Sequence, residues 1–321
     1  MFTISTITDL SECRRLWEQV FPPRQLTDLW EVRECFQQQY RRPPCFIVAN
    51  DLRGICGLLP LCWVEEEEAF AYFPGETWHG RTWLEQNRIL ARNELVLESM
   101  LTHCPGPYHL RYLLPDPSSR LGEVDVDEIG YLFHPAQYGY EFETYLRAFS
   151  HRTYKRIKKE IGSLVERGAR FRYDRLSDYE HLVRLNIERY GRDSYFWDRR
   201  FRESIRSLMH LCDSQGRVRI VTVLMDEEPV AVDLGCLYRG TLTLFAGGTH
   251  GGYPGVAKLI NLHHMEHACR ERWQSIDFLC GSFSWKEMFH LSRRPLYLLD
   301  SAAREEKELA AIPYRSPAYA G

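Results

Sequence analysis

The sequence predicts an α+β protein made of two similar halves. Three observations carry this prediction: the chain has 321 residues, short extended runs alternate with helical patterns, and the order of these segments returns in the second half. Because a domain usually holds roughly 100 to 200 residues, we expect two domains, at residues 1–144 and 145–321.

The first half is predicted to begin with two helices and to continue with a strand-rich block. The acidic run Glu65–Glu68 lies between two apolar strands, and we interpret it as the solvated turn of a hairpin. In order, the predicted elements are helices over 9–20 and 26–39, a strand that starts at 46–48, strands over 55–63 and 69–73, a helix over 84–103 and a strand over 108–114.

The second half repeats the order strand, strand, strand, loop, helix, strand. These elements are predicted at residues 219–225, 230–238, 241–247, 247–256, 255–272 and 275–280. Between the halves, residues 145–173 form a strongly basic helix that ends near Gly168 and runs into a strand. Helices over 177–190 and 197–212 follow.

Composition and charge match an ordinary globular protein. Hydrophobic residues make up 44% of the chain, charged residues 26%, and the net charge is -3, which excludes a disordered chain and gives no reason to expect DNA binding. No apolar run approaches the roughly 20 residues of a membrane span, and the first residues, MFTISTITDLSEC, do not resemble a secretory signal. We therefore expect a cytoplasmic protein without a membrane span.

Neither cysteine nor histidine spacing indicates a metal site. The ten cysteines are scattered, mostly in apolar segments, and include no CxxC pair, so we expect buried, reduced thiols. His263 and His267 lie four residues apart on a predicted helix, but no third ligand follows at metal-site spacing. We expect no bound metal.

Three strings in the second half carry a family resemblance: KRIKKEIGSLVERGARFRY, EEPVAVDLGCLYRGTLTLFAGGT and GGYPGVAKLINLHHMEHACRERWQSIDFLCGSFSWKEMF. Their order and spacing resemble the BioF2-like, or CelD/BcsL, acetyltransferase group, which is similar to the FemABX peptidyltransferases. The matching positions are Glu228-Pro229-Val230-Ala231, Pro254-Gly255, Asp277, Gly281 and Trp285-Lys286. Two positions depart from the family pattern: Trp285 stands where Tyr is frequent, and Glu228 replaces the usual Gly.

The resemblance implies two tandem GNAT-like (acyl-CoA N-acyltransferase) domains with mixed central sheets, and acyl-CoA as co-substrate. The Gly-rich loop 247–256 fits this expectation, because its glycines let the backbone approach a ligand and a helix N-terminus attracts phosphate. The usual GNAT loop pattern is absent, so a turn without a ligand is the alternative. The candidate cofactor-binding residues of the loop are Gly251, Gly252, Tyr253, Gly255 and Val256.

The basic helix supplies further candidates. Its cations face only Glu160 and Glu166, an excess that favours anion binding over a merely solvated face. The anion is a phosphate of coenzyme A, of a nucleotide-linked precursor or of an aminoacyl-tRNA. We single out Arg152, Lys155 and Arg156.

Four side chains are candidates for catalysis. The resemblance implies that Lys286 holds a phosphate or polarises the reacting carbonyl. Asp277 is a general base, a partner that orients Lys286, or a structural hydrogen-bond acceptor. Asp233 is a second carboxylate able to accept an amine proton, and His250 in the Gly-rich loop is a further candidate for taking that proton.

Together these features predict an N-acyltransferase that moves an acyl group from acyl-CoA, or from acyl carrier protein, to an amine of a small molecule, sugar or peptide. The predicted site is a cleft between the two domains. Two alternatives stay open: a FemABX-like peptidyltransferase that uses aminoacyl-tRNA, and a non-catalytic binding module for an anionic metabolite. A place in envelope biosynthesis is what the resemblance implies.

Overall fold

A computed structural model describes residues 1–114, 124–281 and 284–303 of the chain. Up to residue 133 the elements are β1 (Thr3–Ile7), α1 (Leu10–Val20), α2 (Trp30–Tyr40), β2 (Pro44–Asp51), β3 (Gly54–Val64), β4 (Ala69–Tyr72), β5 (Thr77–Trp78), β6 (Arg81–Thr82), β7 (Leu90–Ala91), α3 (Glu94–Thr102), β8 (His109–Leu113) and β9 (Asp125–Phe133). From residue 142 onward they are α4 (Phe142–Leu146), α5 (His151–Glu166), β10 (Arg170–Tyr173), α6 (Asp178–Tyr190), α7 (Arg199–Ser214), β11 (Val218–Met225), β12 (Glu228–Tyr238), β13 (Thr241–Thr249), α8 (Val256–Arg270), β14 (Ser275–Asp277), α9 (Ser284–Met288) and β15 (Ser292–Asp300).

The first sheet consists of β1, β2, β3 and β4 in that order, all antiparallel, with β7 added beside β3. The predicted hairpin is present, since Val64 pairs with Ala69 around the glutamate turn. Helix α1 begins where Asp9 accepts a hydrogen bond from the backbone of Glu12, as an N-cap residue does. Trp17 of α1 packs edge to face on Trp30 of α2, and both rings belong to the apolar core that includes residues of β2 and β3.

The predicted helix over 84–103 is wrong in its first half. Only α3 is helical, because Asn93 caps it by accepting a hydrogen bond from the backbone of Val96. Residues 84–88 carry no helix, and the four polar side chains of 85–88 are buried. Arg88, for example, donates from Nε to Asp28 Oδ1 over 2.9 Å. Because such partners lie far away in the sequence, the local hydrophobic periodicity does not reveal them.

The second sheet has the order β10-β11-β12-β13-β14-β9-β15-β8. The β13–β14 pair is parallel and the other pairs are antiparallel, so the sheet is mixed. Strands β8 and β9 precede residue 145 in the chain, yet they pair with β15 and β14. The prediction did not include β9 and β15, and the domain boundary at 144/145 stays a prediction.

The repeat expected from the sequence is visible in the element order. Strands β2, β3 and β4, helix α3 and strand β8 are matched by β11, β12, β13, α8 and β14. In each half the strand that follows the helix runs parallel to the third strand, through a single bridge between Phe70 and Tyr108 in the first half and through three residue pairs in the second. The two halves thus place a parallel strand pair at equivalent positions.

A shared apolar core joins the halves. Phe36 of α2 lies 5.8 Å from the ring of Trp83 and 6.4 Å from Phe201 of α7, measured between ring centroids.

All ten cysteines are free thiols in the described structure. None of the described helices combines the length and apolar composition that crossing a bilayer requires.

The packing of α6 on β13 predicts a strong effect of a single methyl group. An added Cβ at Gly248 lies 2.7 Å from the Leu182 carbonyl oxygen and 3.0 Å from Leu185 Cβ. Because the obstacle is backbone, we expect Gly248→Ala to lower the free energy of unfolding by about 1–3 kcal/mol in urea denaturation. Gly162→Ala is the control: it meets no atom within 4 Å on α5 and should raise stability by up to about 1 kcal/mol. Equal stability of the two variants would contradict this packing.

Candidate functional site

A fork opens between the parallel strands β13 and β14. The two strands pair only from Thr241–Thr243 to Ser275–Asp277, and β13 then continues alone to Thr249. Within the described residues, no strand pairs with the β14-facing edge of 244–249. At a rise of about 3.3 Å per residue, this open edge is roughly 20 Å long. Near its far end the Gly247 carbonyl accepts a hydrogen bond from Asn186 Nδ2 over 2.7 Å.

Asp277 lies at the base of the fork and is fully engaged. Its side chain is 1% exposed. Oδ2 accepts hydrogen bonds from Gln86 Nε2 over 2.5 Å and from Arg294 Nη2 over 2.8 Å, and Oδ1 accepts from the Leu279 backbone over 2.9 Å. Three segments of the chain therefore converge on one buried carboxylate.

Lys286 lies in the same cluster, with 2% of its surface exposed. Nζ donates to the carbonyl oxygens of Phe278, Leu279 and Cys280 over 3.0, 2.9 and 2.6 Å, which occupies the three N–H groups of an ammonium. Burial lowers the pKa of Lys286, and the nearby Glu85 carboxylate opposes that shift. The lysine thus clamps the turn in which Leu279 has a φ of 57°, an uncommon conformation for a branched residue.

Glu85 is a site residue that sequence reasoning missed. It is 3% exposed, and Oε1 accepts from the Cys280 backbone N–H over 2.6 Å. No N–H or O–H group in the described part of the chain bonds Oε2, and the Cys280 thiol is the further hydrogen-bonding neighbour of this carboxyl. Burial, and then the charge of Asp277, raise the pKa of Glu85 to about 7. A buried carboxyl that titrates near neutrality is suited to proton transfer.

The Gly-rich loop follows β13 and leads into α8. His250 is exposed, and its Nδ1 accepts from the Gly252 backbone over 3.0 Å. Gly255, with a φ of 91°, is the N-cap residue of α8. The first turn of α8 contains no acidic residue and no side chain caps it, so its first backbone N–H groups have no side-chain partner. Glu160 of α5 packs against Gly255 and pairs with Lys258 in this turn.

The basic helix α5 lies beside this loop. Arg152, Lys155, Arg156 and Lys159 are exposed and spaced three or four residues apart, and they form one stripe, the α5 cation stripe. Helix α5 reaches the loop at two points. An added Cβ at Gly255 would lie 3.1 Å from Glu160 Cβ, and the Arg167 guanidinium lies 5.4 Å from the Tyr253 ring. The fold therefore brings both predicted anion-binding segments together.

Asp233 lies apart from the base of the fork. Its Oδ2 is 3.1 Å from His264 Nε2, and both side chains are buried between β12 and α8. Asp233 pairs with Gly247, four residues beyond the Thr243–Asp277 pair and one strand further away. That register places it about 15 Å from Asp277.

The four predicted catalytic residues thus occupy three places. Asp277 and Lys286 share the base of the fork, His250 lies in the loop, and Asp233 lies under α8. Their catalytic roles stay predictions.

The histidine pair on α8 is held by aromatic contacts. The His263 ring stacks on Phe171 at 3.9 Å between centroids, and Nε2 is 3.1 Å from the Tyr173 hydroxyl. Burial lowers the pKa of His263 to about 4. Across the described ranges, no three His, Cys, Asp or Glu side chains form a group that could hold a metal ion.

Residues 151–287 match the model of a family described as the Acetyltransferase (GNAT) domain. That range contains α5, the fork, the Gly-rich loop and Lys286. No curated protein sequence matches the chain.

Solved structures resemble nearly the whole chain. A conserved protein of unknown function from Bacteroides thetaiotaomicron has a TM-score of 0.57 at 12% identity, with 93% of this chain and 99% of that chain covered. FemX has a TM-score of 0.56 at 9% identity, with 95% and 99% covered. The C-terminal domain of a putative lysylphosphatidylglycerol synthetase from Agrobacterium fabrum has a TM-score of 0.50 at 9% identity, with 94% and 95% covered.

At such identities the likeness concerns the fold. The predicted fold class, α+β with GNAT-like units and mixed sheets, is confirmed. The narrower BioF2-like or CelD/BcsL assignment stays a prediction.

The elevated pKa of Glu85 predicts how stability depends on pH. Its ordinary pKa is 4.5 and its folded value is about 7, so the folded state binds a proton that the unfolded state releases. Its contribution to stability is therefore complete below pH 4.5 and is lost as the pH rises through about 7. The free energy of unfolding of Glu85→Gln minus that of wild type should therefore increase with pH. At about 1.4 kcal/mol per pKa unit, the increase between pH 4.5 and pH 8 should be roughly 2–4 kcal/mol.

Urea denaturation at several pH values measures this difference. Glu94→Gln is the matched control, because Glu94 is exposed at the start of α3. Its stability should follow the wild-type pH profile. A constant difference between Glu85→Gln and wild type across this range would show that Glu85 is ionised throughout.

Proposed function

We propose that the protein is an N-acyltransferase that moves an acyl group from acyl-CoA, or from the thioester of acyl carrier protein, to an amine. The observation that carries this proposal is the fork, in which β13 leaves β14 after three residue pairs between a glycine-rich helix start and a buried polar cluster. The match of residues 151–287 to the GNAT family model supports it. Because both donors are intracellular thioesters, we place the reaction in the cytoplasm.

The fork suits an extended donor. Phosphate groups are attracted by the uncapped start of α8 and by the α5 cation stripe, with Gly251, Gly252, Tyr253 and Val256 at the loop. Roughly 20 Å separates the far end of the open edge from the base of the fork. A donor whose phosphates lie at the loop can therefore place its thioester near Glu85. Free backbone groups of β13 pair with the donor as a neighbouring strand would.

The chemistry assigns distinct tasks to the buried residues. The amine nitrogen attacks the thioester carbonyl, the new C–N bond forms, and the C–S bond breaks. The sulfur leaves as a thiolate and takes up the proton that the nitrogen loses through Glu85, which gives the free thiol. Glu85 accepts the amine proton, because its pKa is about 7 and no N–H or O–H group of the described residues is bonded to its Oε2. Asp277 and Lys286 are positioning residues, since their polar atoms already hold the turn at 278–280.

The acceptor enters from the first half of the chain. The ring of Trp83 lies 5.9 Å from Phe245 of β13, and the next residues contribute Glu85 and Gln86 to the cluster. The proposed cleft is thus the junction between the two halves. His250, exposed at the loop, is closer to the proposed phosphate end than to the reacting carbonyl.

A second candidate function is peptidyl transfer from aminoacyl-tRNA. The α5 cation stripe favours it, because four exposed cations at successive turns match the repeated charges of a nucleic-acid backbone. None of the four takes part in a salt bridge to a described residue. The structural likeness to FemX is a likeness of fold.

Donor binding and turnover together test the proposed function. Acetyl-CoA at about one hundred times its dissociation constant should stabilise the protein by about 2.7 kcal/mol, which thermal denaturation detects. Glu85→Gln should keep this shift but lower thiol release in the presence of amines by roughly 10²–10⁴-fold, whereas Glu94→Gln should leave both unchanged. In wild type, kcat/KM should rise as the pH passes about 7, because Glu85 must be ionised to accept a proton.

Thermal denaturation with acyl-CoAs, acyl carrier protein and tRNA in turn separates the candidate functions. A thermal shift with tRNA and none with any acyl-CoA or acyl carrier protein would replace the first candidate by the second. Donor binding without thiol release would favour a non-catalytic binding module. Full turnover in Glu85→Gln would remove Glu85 from the mechanism.

A further inference from the structure

A cysteine lies in the buried polar cluster at the base of the fork. Cys280 is the third residue after Asp277, and its carbonyl is one of the three that accept hydrogen bonds from Lys286 Nζ. Eight of the ten cysteines are buried, whereas Cys280 and Cys104 keep partial exposure. Cys280 therefore combines a place in the proposed active site with partial access from outside.

The Cys280 thiol is paired with a carboxyl group. It hydrogen-bonds to the Glu85 side chain, whose Oε1 also accepts from the Cys280 backbone N–H over 2.6 Å. Two contacts thus hold this carboxyl against a single residue. Glu85 is 3% exposed, so Cys280 is the more accessible member of the pair. A nucleophile within hydrogen-bond reach of a base is the arrangement that covalent catalysis uses.

A tyrosine contacts the same sulfur. The Tyr112 hydroxyl hydrogen-bonds to the Cys280 thiol, and Tyr112 is 4% exposed. Burial raises the pKa of Tyr112, so its hydroxyl keeps the proton at neutral pH and donates it to a hydrogen bond. A donor to the sulfur favours the thiolate over the thiol. The Cys280 sulfur therefore contacts both a proton acceptor and a hydrogen-bond donor.

The thiol stays protonated until a base removes its proton. Burial, and then the charge of Glu85, raise the pKa of Cys280, so the resting group is the thiol. A neighbouring base activates such a nucleophile during the reaction, and a thiolate of higher pKa is intrinsically the stronger nucleophile. Glu85, with a pKa of about 7, is partly ionised at neutral pH and is placed to act as this base.

We propose that Cys280 is the nucleophile of the transfer reaction and carries the acyl group as a thioester between the donor and the amine. The inference rests on the proposed function, because it requires an acyl thioester in the fork. In the first step the Cys280 sulfur attacks the donor carbonyl, Glu85 takes the thiol proton, and the C–S bond of the donor breaks. The donor sulfur leaves as a thiolate and takes that proton from Glu85, which restores the carboxylate.

The second step forms the amide and restores the thiol. The amine nitrogen attacks the carbonyl of acyl-Cys280, the C–N bond forms, and the bond from the carbonyl carbon to the Cys280 sulfur breaks. Glu85 accepts the proton that the nitrogen loses and returns it to the Cys280 sulfur, its hydrogen-bond partner. The first step exchanges one thioester for another, so neither step needs a further reactant.

Incubation of the intact protein with acetyl-CoA, without any amine, tests the proposal. Wild type should release a stoichiometric burst of free coenzyme A and gain the mass of one acetyl group. Peptide mapping should place that group on Cys280, and neutral hydroxylamine should remove it, as it does a thioester. Cys104→Ser is the matched control and should form the same adduct, because Cys104 is also partly exposed but burial, rather than a carboxylate, raises the pKa of its thiol.

Two variants separate a nucleophile from a thiol that only fills a hydrogen-bonding place. Cys280→Ser keeps a donor for Glu85 but lacks the sulfur. It should retain the thermal shift with acetyl-CoA, form no thioester adduct, and release thiol in the presence of amines more slowly by roughly tenfold or more. Glu85→Gln keeps the sulfur and should form the adduct roughly 10²–10⁴-fold more slowly than wild type.

Steady-state kinetics gives an independent result. With wild type, kcat/KM for acetyl-CoA should not depend on the amine concentration, as expected when the first product leaves before the amine reacts. Thiol release with amines but without an adduct on Cys280, or full turnover in Cys280→Ser, would overturn the proposal and leave the transferase in place. Absence of both a thermal shift and thiol release with acetyl-CoA would instead count against the proposed function, and the inference would fall with it.

Discussion

The burial of one carboxylate, Asp277, is the constraint on which the rest of the structure depends. Removing a carboxylate from water is costly unless hydrogen bonds replace its hydration. Here the replacements come from Gln86 in the first half, Arg294 on β15 and the Leu279 backbone. Each donor belongs to a different segment, so satisfying Asp277 ties the two halves and the end of β14 to one another.

This tie also shapes the backbone around the fork. Gln86, Tyr112 and Leu279 all have positive φ angles of 56–66°, a region that side-chain-bearing residues seldom occupy. Contacts hold two of them: Lys286 donates to the Leu279 carbonyl, and the Tyr112 N–H donates to Asp127 Oδ2 over 3.2 Å. Backbone conformations that are rarely populated persist only where surrounding contacts hold them, and they are typical of preorganised sites. The contacts that stabilise these backbone conformations belong to the same buried polar cluster that raises the pKa of Glu85 to about 7.

Local sequence signals predicted the parts of this fold that local interactions determine. Periodicity located α1, α2, α6, α7 and α8, and alternation located the β3–β4 hairpin and β11 to β13. The loop and α5 could be recognised as anion-binding candidates because charge and glycine content are visible in the sequence. Asp277 and Lys286 were singled out through the family resemblance, which did not predict their contacts with the turn at 278–280.

Long-range contacts explain what could not be predicted. Their sequence pattern places residues 85–88 in a predicted helix, whereas partners such as Asp28, Asp277 and Cys280 hold these side chains buried. Strand β9 pairs with β14, more than 140 residues later in the chain. Asp233 was selected for its place in an apolar strand, but its partner His264 lies on a helix face that the pattern described only as polar.

In the proposed function, the open edge of β13 binds the acyl donor. Hydrogen–deuterium exchange of the intact protein with saturating acetyl-CoA tests it most directly, because a bound donor protects the backbone it pairs with. We expect slower exchange in peptides that cover 244–256 and unchanged exchange in peptides that cover β4 (Ala69–Tyr72). Absence of protection at 244–256, or protection confined to β4, would contradict it.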